Sequence, residues 1–195
     1  MRRTVIVMVK EPRPGRVKTR LGRDIGMTAA AWWYRHQVSR LLRRLDDPFW
    51  DTVLAVAPDR AVYRFPIRHG PVRRIPQGPG DLGDRMTRAI RQAPPGPVLV
   101  IGSDVPGITR AGLKRAFGAL QGKDAVIGPA PDGGYWLIGV RHPGVLPRNA
   151  LSDVRWSGPY ARADTLRGLG TLRLAEVHRL ADVDTAEDLD AVVSE

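Results

Sequence analysis

Short, continuously apolar runs rich in β-branched residues recur along this sequence, and they constrain its fold more than any other feature. Five of them are predicted to be strands: Thr4–Val9, Thr52–Ala57, Val98–Ile101, Ala125–Gly128 and Tyr135–Val140. Most are apolar at every position instead of alternating with polar residues, which is typical of strands whose sheet is covered on both faces. The pattern therefore predicts a mainly parallel sheet packed between other elements.

Helical patterns occupy the intervals between these runs. In the predicted helix Thr28–Leu45, apolar residues recur at three- and four-residue spacing and form one stripe: Ala31, Tyr34, Val38, Leu41 and Leu45. Four further helices are predicted: Asp81–Ala93, Thr109–Leu120, Pro159–Leu169 and Thr185–Val193. This alternation of strands and helices indicates an α/β domain, and the Gly133-Gly134 turn favours one added antiparallel strand after it. The length suits a single domain, residues 1–195.

Composition and charge exclude several classes of protein. The chain has no cysteine, which rules out disulfide frameworks, thiolate metal sites and cysteine nucleophiles. No apolar run approaches the roughly 18 residues of a membrane helix, so we expect a cytoplasmic protein. The net charge is +11, but residues 1–50 hold twelve Lys/Arg against four Asp/Glu, and residues 175–195 hold one against seven. This asymmetry favours a phosphate site at one end of the chain over a uniformly basic nucleic-acid surface.

The basic residues concentrate in the segment that follows the first predicted strand. Five cations lie between Lys10 and Arg20, in a segment whose prolines and glycine predict an irregular loop. Ligands of open α/β sheets bind beyond the carboxyl ends of the strands, so backbone amides here would approach phosphate oxygens, with Lys18 and Arg20 neutralising them. The segment matches neither the Walker loop nor the dinucleotide glycine pattern. The alternative is a solvated basic loop.

Candidate metal ligands come from two other places. Asp104 follows the strand Val98–Ile101 and therefore shares a sheet edge with the basic segment; a carboxylate there suits Mg²⁺ bound together with substrate phosphates. Near the C-terminus, the spacing of Asp184 and Glu187 fits a helix cap, which leaves either Asp182 or Asp184 to complete the site. The alternative for Asp104 is an ordinary aspartate in a turn or at the start of a helix.

Two glycine-rich turns and one aromatic loop complete the candidates. The turn Gln77–Met86 opens a helix whose amides would meet a base or ribose. In the turn Pro131–Tyr135, Asp132 would project at the sheet margin, although each turn by itself also fits a purely structural role. Trp156 and Ser157 precede a helix, where Ser157 fits a cap or a substrate contact better than a nucleophile. The absence of Gly-x-Ser-x-Gly argues against a serine hydrolase.

Five segments together resemble a known family. In order, they are Lys10-x-Pro12-x-Pro14-Gly15-x-Val17-Lys18-Thr19-Arg20-Leu21, Gly80-Asp81-Leu82-Gly83-x-Arg85-Met86, Gly102-x-Asp104-x-Pro106, Gly128-Pro129-Ala130-x-Asp132-Gly133-Gly134-Tyr135-x-Leu137-Ile138-Gly139 and Asp182-Val183-Asp184-Thr185-x-x-Asp188-Leu189. They resemble the bacterial glycosyltransferase-like family labelled radical-SAM/selenodomain-associated transferase type one. More distantly, the chain is similar to molybdenum-cofactor guanylyltransferases and phospholactate guanylyltransferases.

The resemblance implies a fold and a set of residue roles. The fold would be a glycosyltransferase-A (GT-A) type, a three-layer αβα sandwich of the nucleotide-diphospho-sugar transferase kind with a mainly parallel mixed sheet. Asp104 and Asp184 would hold Mg²⁺ or Mn²⁺. Separately from the resemblance, we take Lys18 and Arg20 as the catalytic cations and Asp132 as the candidate general base. The nucleotide would be bound by the first loop and the glycine-rich turns: Lys10, Pro14, Gly15, Arg16, Lys18, Thr19, Arg20, Asp81, Gly83 and Tyr135. Asp132 and Tyr135 would lie nearer the acceptor.

Two departures bear on the reaction. Many glycosyltransferases carry Asp-x-Asp as their metal motif, but Gly102 stands two residues before Asp104, a pattern closer to the nucleotidyltransferases. In addition, Gly158 and Pro159 follow Ser157 where another hydroxyl residue is expected, which bears on the acceptor contacts.

The residues and the resemblance together predict a metal-dependent transferase that uses an activated nucleotide. Glycosyl transfer from a nucleotide-sugar to a small, acidic or phosphorylated acceptor is the leading hypothesis. The first alternative is nucleotidyl transfer, in which the acceptor attacks the α-phosphorus of a nucleoside triphosphate. The second is a non-catalytic binder of nucleotides or nucleic acid, which the carboxylate motifs disfavour because they would repel phosphates in the absence of a metal.

Overall fold

The computed structural model describes residues 2–67, 70 and 72–193, and it forms a seven-stranded sheet with helices on both faces. The strands are β1 (Thr4–Lys10), β2 (Asp51–Ala57), β3 (Arg73–Pro76), β4 (Val98–Ile101), β5 (Ala125–Pro129), β6 (Tyr135–Val140) and β7 (Leu174–Glu176). The helices are α1 (Thr19–Ile25), α2 (Met27–Arg44), α3 (Leu82–Arg91), α4 (Arg110–Ala119), α5 (Ala161–Leu169) and α6 (Ala186–Val193). Two short 3₁₀ helices span Asp59–Arg64 and Pro143–Val145.

The sheet is mixed but mainly parallel, with the order β3-β2-β1-β4-β6-β5-β7. Strand β1 lies parallel between β2 and β4, whereas β6 runs antiparallel to both β4 and β5. The predicted fold class is therefore confirmed, and so is the antiparallel strand after the Gly133-Gly134 turn. Within the described residues, no helix is both long and apolar enough to cross a bilayer.

Alternate residues of β1 enter two separate cores, which explains why the strand is apolar at successive positions. Val5, Val7 and Val9 are fully buried with the apolar faces of α2 and α4. Ile6 points the other way, into the core that α3 contributes to through Met86, Ala89 and Ile90. Burial on both faces of a parallel strand selects a continuous apolar run.

The edge strands and the first helix differ from the expectations drawn from sequence. Strands β3 and β7 were not predicted because they are short, partly exposed edges with little apolar signal. The basic segment was expected to be irregular as far as Arg20, but α1 already begins at Thr19, so Thr19 and Arg20 are helical. Burial of Leu21 and Gly22, which contact α2, favours this early helix.

The start of α3 packs closely against the loop that carries Leu151. Asp81 caps the helix by accepting from the Asp84 amide, while the Asp84 carboxylate accepts from the Asp81 amide. A Cβ on Gly83 would collide with the carbonyl oxygen of Leu151 and touch the Trp156 ring. Gly83 therefore allows close contact between helix and loop, and its role is packing.

Replacing Gly83 by alanine should destabilise the fold by about 1–3 kcal/mol, because the new methyl group meets backbone that cannot yield without a shift. Urea unfolding measures this change. The matched control is Gly118→Ala in α4, where a Cβ meets nothing within 4 Å. That substitution should stabilise by roughly 0.5–1 kcal/mol through helix propensity. Equal effects at the two glycines would contradict the packing argument.

Asp124, directly before β5, binds residues that adjoin the neighbouring strands: Arg173 before β7 and Arg141 after β6. Its carboxylate accepts from the Arg173 side chain at 3.0 and 3.2 Å and from the Arg173 amide at 3.1 Å, and Arg141 adds an ion pair at 3.1 Å. The hydrogen bonds from Arg173 hold the pKa of Asp124 at about 2, below its usual 3.8. The folded state therefore favours the charged carboxylate.

Asp124→Asn should lower the melting temperature at pH 7, and the difference from the wild type should shrink as the pH falls from about 4 to about 2. The sign follows from the lowered pKa: the stabilisation is complete above the unfolded value and is lost as the folded carboxyl is protonated. Thermal melts across this pH range measure it, with the exposed Asp46→Asn as a charge control. If the melting temperature of Asp124→Asn is still lower than that of the wild type by the same amount at pH 2, the ionised carboxylate is not the source of the stabilisation.

Candidate active site

A cleft of about 560 Å³ opens at the edge of the sheet where β1 and β4 end. Its walls come from the segment after β1, the residues Gly102–Val105 after β4, the β5–β6 turn, the Trp156–Gly158 loop and the segment before α6. Because β1 and β4 are parallel, their carboxyl ends meet at this edge, as the sequence analysis expected.

Lys18 occupies the centre of an acidic cluster in this cleft. Its Nζ lies 2.6 Å from Asp104 Oδ2, 2.7 Å from Asp184 Oδ1 and 3.5 Å from Asp182 Oδ2, and its side chain is only 6% exposed. The backbone of Lys18 is left-handed, with φ 45° and ψ 50°, immediately before α1. This conformation is uncommon for a residue other than glycine, and here it is held at a candidate functional site.

Negative charge exceeds positive charge around Lys18. The three carboxylates carry oxygen atoms within 4.8 Å of one another, and Lys18 compensates one of the three charges. Arg20, whose side chain is 65% exposed, donates to Asp184 Oδ2 at 3.1 Å. It compensates a second of the three negative charges from the solvent side. The cluster therefore retains a formal negative charge, which favours a further cation.

The pKa values reflect this crowding. Burial raises the pKa of Asp182 to about 6; Lys18 opposes the rise, and the carboxylates of Asp104 and Asp184 reinforce it. Burial by itself would lower the pKa of Lys18, but the carboxylates of Asp104 and Asp184 outweigh it and hold the pKa above its usual range. Lys18 is therefore firmly charged, whereas burial favours the neutral form of the Asp182 carboxyl.

Thr185 caps α6 together with Asp188, in place of the expected pair Asp184 and Glu187. Its carboxylate accepts from the amides of Asp184 and Thr185 at 2.9 and 2.8 Å, and the Asp188 amide donates to the Thr185 hydroxyl. Burial would raise the pKa of Asp188, but these amides outweigh it and lower the pKa. The expected Asp184–Glu187 cap is therefore wrong by one residue. Because Thr185 and Asp188 form the cap, the carboxylates of both Asp182 and Asp184 are directed at Lys18.

The residues present fit a divalent cation. Three carboxylates supply the hard oxygen ligands that Mg²⁺ and Mn²⁺ prefer, and the cluster already surrounds a positive charge. Asp104, Asp182 and Asp184 come from two segments distant in the chain, so only the fold assembles the set.

The basic segment contributes side chains to the cleft unevenly. Lys10, Arg16, Lys18, Thr19 and Arg20 line it. Pro14 and Gly15 lie in the turn between Arg13 and Arg16 and are not among the lining residues; Gly15 has φ 72°. The structure thus brings five of the seven predicted residues of this segment to the cleft.

A buried tyrosine that the sequence analysis treated only as core joins the two segments that end at the cleft. The Lys10 amide donates to the Tyr34 hydroxyl at 3.0 Å, and the same hydroxyl is 2.8 Å from Ser103 Oγ. Burial raises the pKa of Tyr34 to about 12, so the phenol stays protonated. The only available signal was the position of Tyr34 on the apolar stripe of α2, which predicted burial and not this bridge.

The second glycine-rich turn presents apolar side chains to the cleft. Leu82 and Met86 of α3 line it, whereas the Asp81 carboxylate is engaged in capping the helix and Gly83 packs on Leu151. Asp81 and Gly83, predicted to border a nucleoside pocket, therefore position this wall and are not among the lining residues. An apolar wall of this kind suits the face of a base.

On the opposite wall, Asp132 and Tyr135 both line the cleft. The Asp132 carboxylate accepts from the Gly134 amide at 2.9 Å and is held in the turn. The Tyr135 hydroxyl accepts from Thr165 Oγ1 at 3.2 Å, and burial raises its pKa. Its ring contacts Trp156 edge-on, at 6.3 Å between centroids. Tyr135 therefore offers a ring face, while its hydroxyl is tied to α5.

Arg155, which precedes the Trp156–Gly158 loop, is bound by a residue that the sequence analysis did not identify. Asp164 of α5 accepts from the Arg155 amide at 3.1 Å and from its guanidinium at 2.8 and 2.9 Å, and it also pairs with Arg167. These bonds from Arg155 lower the pKa of Asp164 despite burial. Ser157 has a left-handed φ of 62° and lines the cleft.

Solved structures share this architecture. A protein from Desulfovibrio desulfuricans G20, provisionally assigned as a nucleotide-diphospho-sugar transferase, is 32% identical over 98% of this chain and 87% of its own, with a TM-score of 0.91. Rv0371C of Mycobacterium tuberculosis H37Rv in complex with manganese is 15% identical over 100% and 99%, with a TM-score of 0.59. A CMP:2-keto-3-deoxy-manno-octonic acid synthetase complexed with CTP is 14% identical over 100% and 98%, with a TM-score of 0.59.

The fold is thus that of the nucleotide-diphospho-sugar transferases, and the more distant structures share this fold alone. None of the curated proteins compared with the chain matches it. Residues 41–158 match the profile of a bacterial family described as "Uncharacterized protein conserved in bacteria (DUF2064)". This stretch contains Asp104, Asp132 and Tyr135, while Lys18 and Asp184 lie outside it. Because this match covers more than half of the chain, the chain belongs to the DUF2064 family.

Proposed function

We propose that this protein is a Mg²⁺- or Mn²⁺-dependent transferase that moves a glycosyl group from a nucleotide-sugar to a small acceptor. One observation carries the proposal: three carboxylates and a buried lysine converge in a cleft whose rim is basic and whose walls are apolar. The assignment of the 32% identical relative as a nucleotide-diphospho-sugar transferase supports the same reaction class.

The charges divide the cleft into zones with different tasks. Arg16, Lys18 and Arg20 line the side beside the acidic cluster and would neutralise the two phosphates of the donor. Leu82 and Met86 form an apolar wall for the base, and Tyr135 with Trp156 forms a second wall suited to the sugar or the acceptor. Ser157 supplies a hydroxyl on that second wall.

A divalent cation would be held by Asp104, Asp184 and Asp182. When bound, it supplies positive charge to the diphosphate, which stabilises the leaving group. Lys18 and Arg20 add fixed positive charge on the same side, and preorganised charge of this kind is usually the largest contribution to catalysis. Asp132 would accept a proton from the acceptor, because the other three lining carboxylates are paired with Lys18 and the Gly134 amide holds Asp132 in the turn.

Nucleotidyl transfer is the second candidate, and Gly102 favours it. Only one aspartate follows β4, since Gly102 and Ser103 precede Asp104 without a second carboxylate. In glycosyl transfer the acceptor attacks C1 of the sugar and a nucleoside diphosphate leaves. In nucleotidyl transfer it attacks the α-phosphorus and pyrophosphate leaves. The same charged groups serve both reactions, so the donor must be identified by experiment.

A thermal-shift panel should identify the donor. Nucleoside diphosphates, nucleotide-sugars, nucleoside triphosphates and a DNA duplex are each tested with Mg²⁺, with Mn²⁺ and with EDTA. We expect a metal-dependent rise in melting temperature with one nucleoside diphosphate and its sugar, since a ligand at 100 times its Kd adds about 2.7 kcal/mol. Preference for a triphosphate would select nucleotidyl transfer. Salt-sensitive binding of the duplex alone would overturn both.

Asp104→Ala should abolish the metal-dependent part of that shift and reduce turnover of the identified donor by on the order of 10²-fold or more, because a central negative ligand is lost. Asp51→Ala is the matched control: Asp51 begins β2 at the opposite end of the sheet and pairs with Arg2. The control should retain the shift and full turnover. Full turnover in Asp104→Ala would contradict the metal assignment.

A further inference from the structure

The ammonium of Lys18 occupies the position that a divalent cation would need. Its Nζ is in hydrogen-bond contact with Asp104 and Asp184 and 3.5 Å from Asp182, the same three carboxylates that would ligate a metal. Arg20 differs, because it reaches only Asp184, approaches from solvent and is 65% exposed. Of these two cations, Lys18 alone lies between all three carboxylates.

A lysine and a divalent cation cannot share these oxygens. Mg²⁺ binds carboxylate oxygens at about 2.0–2.1 Å, which would bring it into close contact with an ammonium held at hydrogen-bond distance from the same atoms. Repulsion between the two charges is strong where water is scarce, and Lys18 is nearly inaccessible to solvent. Metal binding therefore requires the Lys18 ammonium to move away from the cluster.

The chain allows that movement. The lysine side chain is a point charge on a flexible four-carbon stem, so it can rotate while the backbone before α1 stays in place. Its neighbours along the cleft are Arg16, Thr19 and Arg20, on the side proposed for the donor phosphates. An anionic donor would offer the displaced ammonium a new partner there.

We propose that Lys18 is a mobile counter-ion that blocks the metal site until it is displaced, so that the divalent cation and the phosphates of the donor bind cooperatively through the movement of one side chain. This inference rests on the proposed metal-dependent function. In the resting state Lys18 neutralises carboxylates that would otherwise repel one another, and in the loaded state it neutralises phosphate.

The first test measures binding of Mn²⁺ alone by calorimetry or by electron paramagnetic resonance. Lys18→Met should bind Mn²⁺ about fivefold or more tightly than the wild type, in the range typical of coupling between ligands. Arg20→Met is the matched control, because it removes one positive charge from the same cluster without emptying its centre, and it should change the affinity much less. Lys18→Gly accommodates the left-handed backbone without strain and should repeat the tightening if Lys18→Met folds poorly.

The second test follows Lys18 itself in the wild-type protein. The chain has four lysines, Lys10, Lys18, Lys114 and Lys123, so mass spectrometry can follow the acetylation of each one. Lys18 should be protected in EDTA and should become reactive as Mg²⁺ is added, whereas the exposed Lys123 should react equally in both conditions.

The outcomes separate this inference from the function on which it rests. Tighter Mn²⁺ binding in Lys18→Met than in Arg20→Met, together with metal-induced labelling of Lys18, supports the mobile counter-ion. If Mn²⁺ binds the wild type and Lys18→Met equally well, or if Lys18 stays protected at saturating metal, the inference is overturned and the metal-dependent function stands. If Mn²⁺ binds no variant, the metal-dependent function fails and the inference falls with it.

Discussion

The parallel pairing of β1 with both β2 and β4 is the constraint on which the rest of this structure depends. It places β1 in the interior of the sheet, with Val5, Val7 and Val9 in one core and Ile6 in the other. It also brings the carboxyl ends of β1 and β4 to one edge, so that the segments carrying Lys18 and Asp104 leave the sheet side by side. The antiparallel β6 then turns at the same edge and adds Asp132 and Tyr135 to the opposite wall.

Electrostatic imbalance distinguishes this edge from the rest of the surface. Asp124 and Asp164 show how the protein normally satisfies a carboxylate, with two arginines each and a lowered pKa. In the cleft the carboxylates outnumber the cations, since within the described part of the chain Asp104, Asp182 and Asp184 are paired only with Lys18 and Arg20, and burial raises the pKa of Asp182. This excess of negative charge is the feature of the cleft on which the proposed cation site depends.

Much of the fold was predictable from sequence because it depends on patterns that are local in the chain. The five apolar runs became strands, and the five predicted helices were all present, with shifts of one or a few residues at their ends. The misses were elements with weak local signals. Strands β3 and β7 form only because neighbouring strands offer free backbone groups at the sheet edges, and α1 is stabilised by the burial of Leu21 against α2.

The sequence by itself determined the inventory of the site and the edge at which it would lie. A basic segment after β1, Asp104 after β4 and carboxylates near the C-terminus all followed from the order of motifs and from parallel strand geometry. Tertiary structure alone decided how these groups meet: that the Lys18 ammonium lies between Asp104 and Asp184, and that Tyr34 bridges Lys10 and Ser103. Distances between residues some 80 to 160 positions apart depend on packing of whole elements, and no local pattern encodes them.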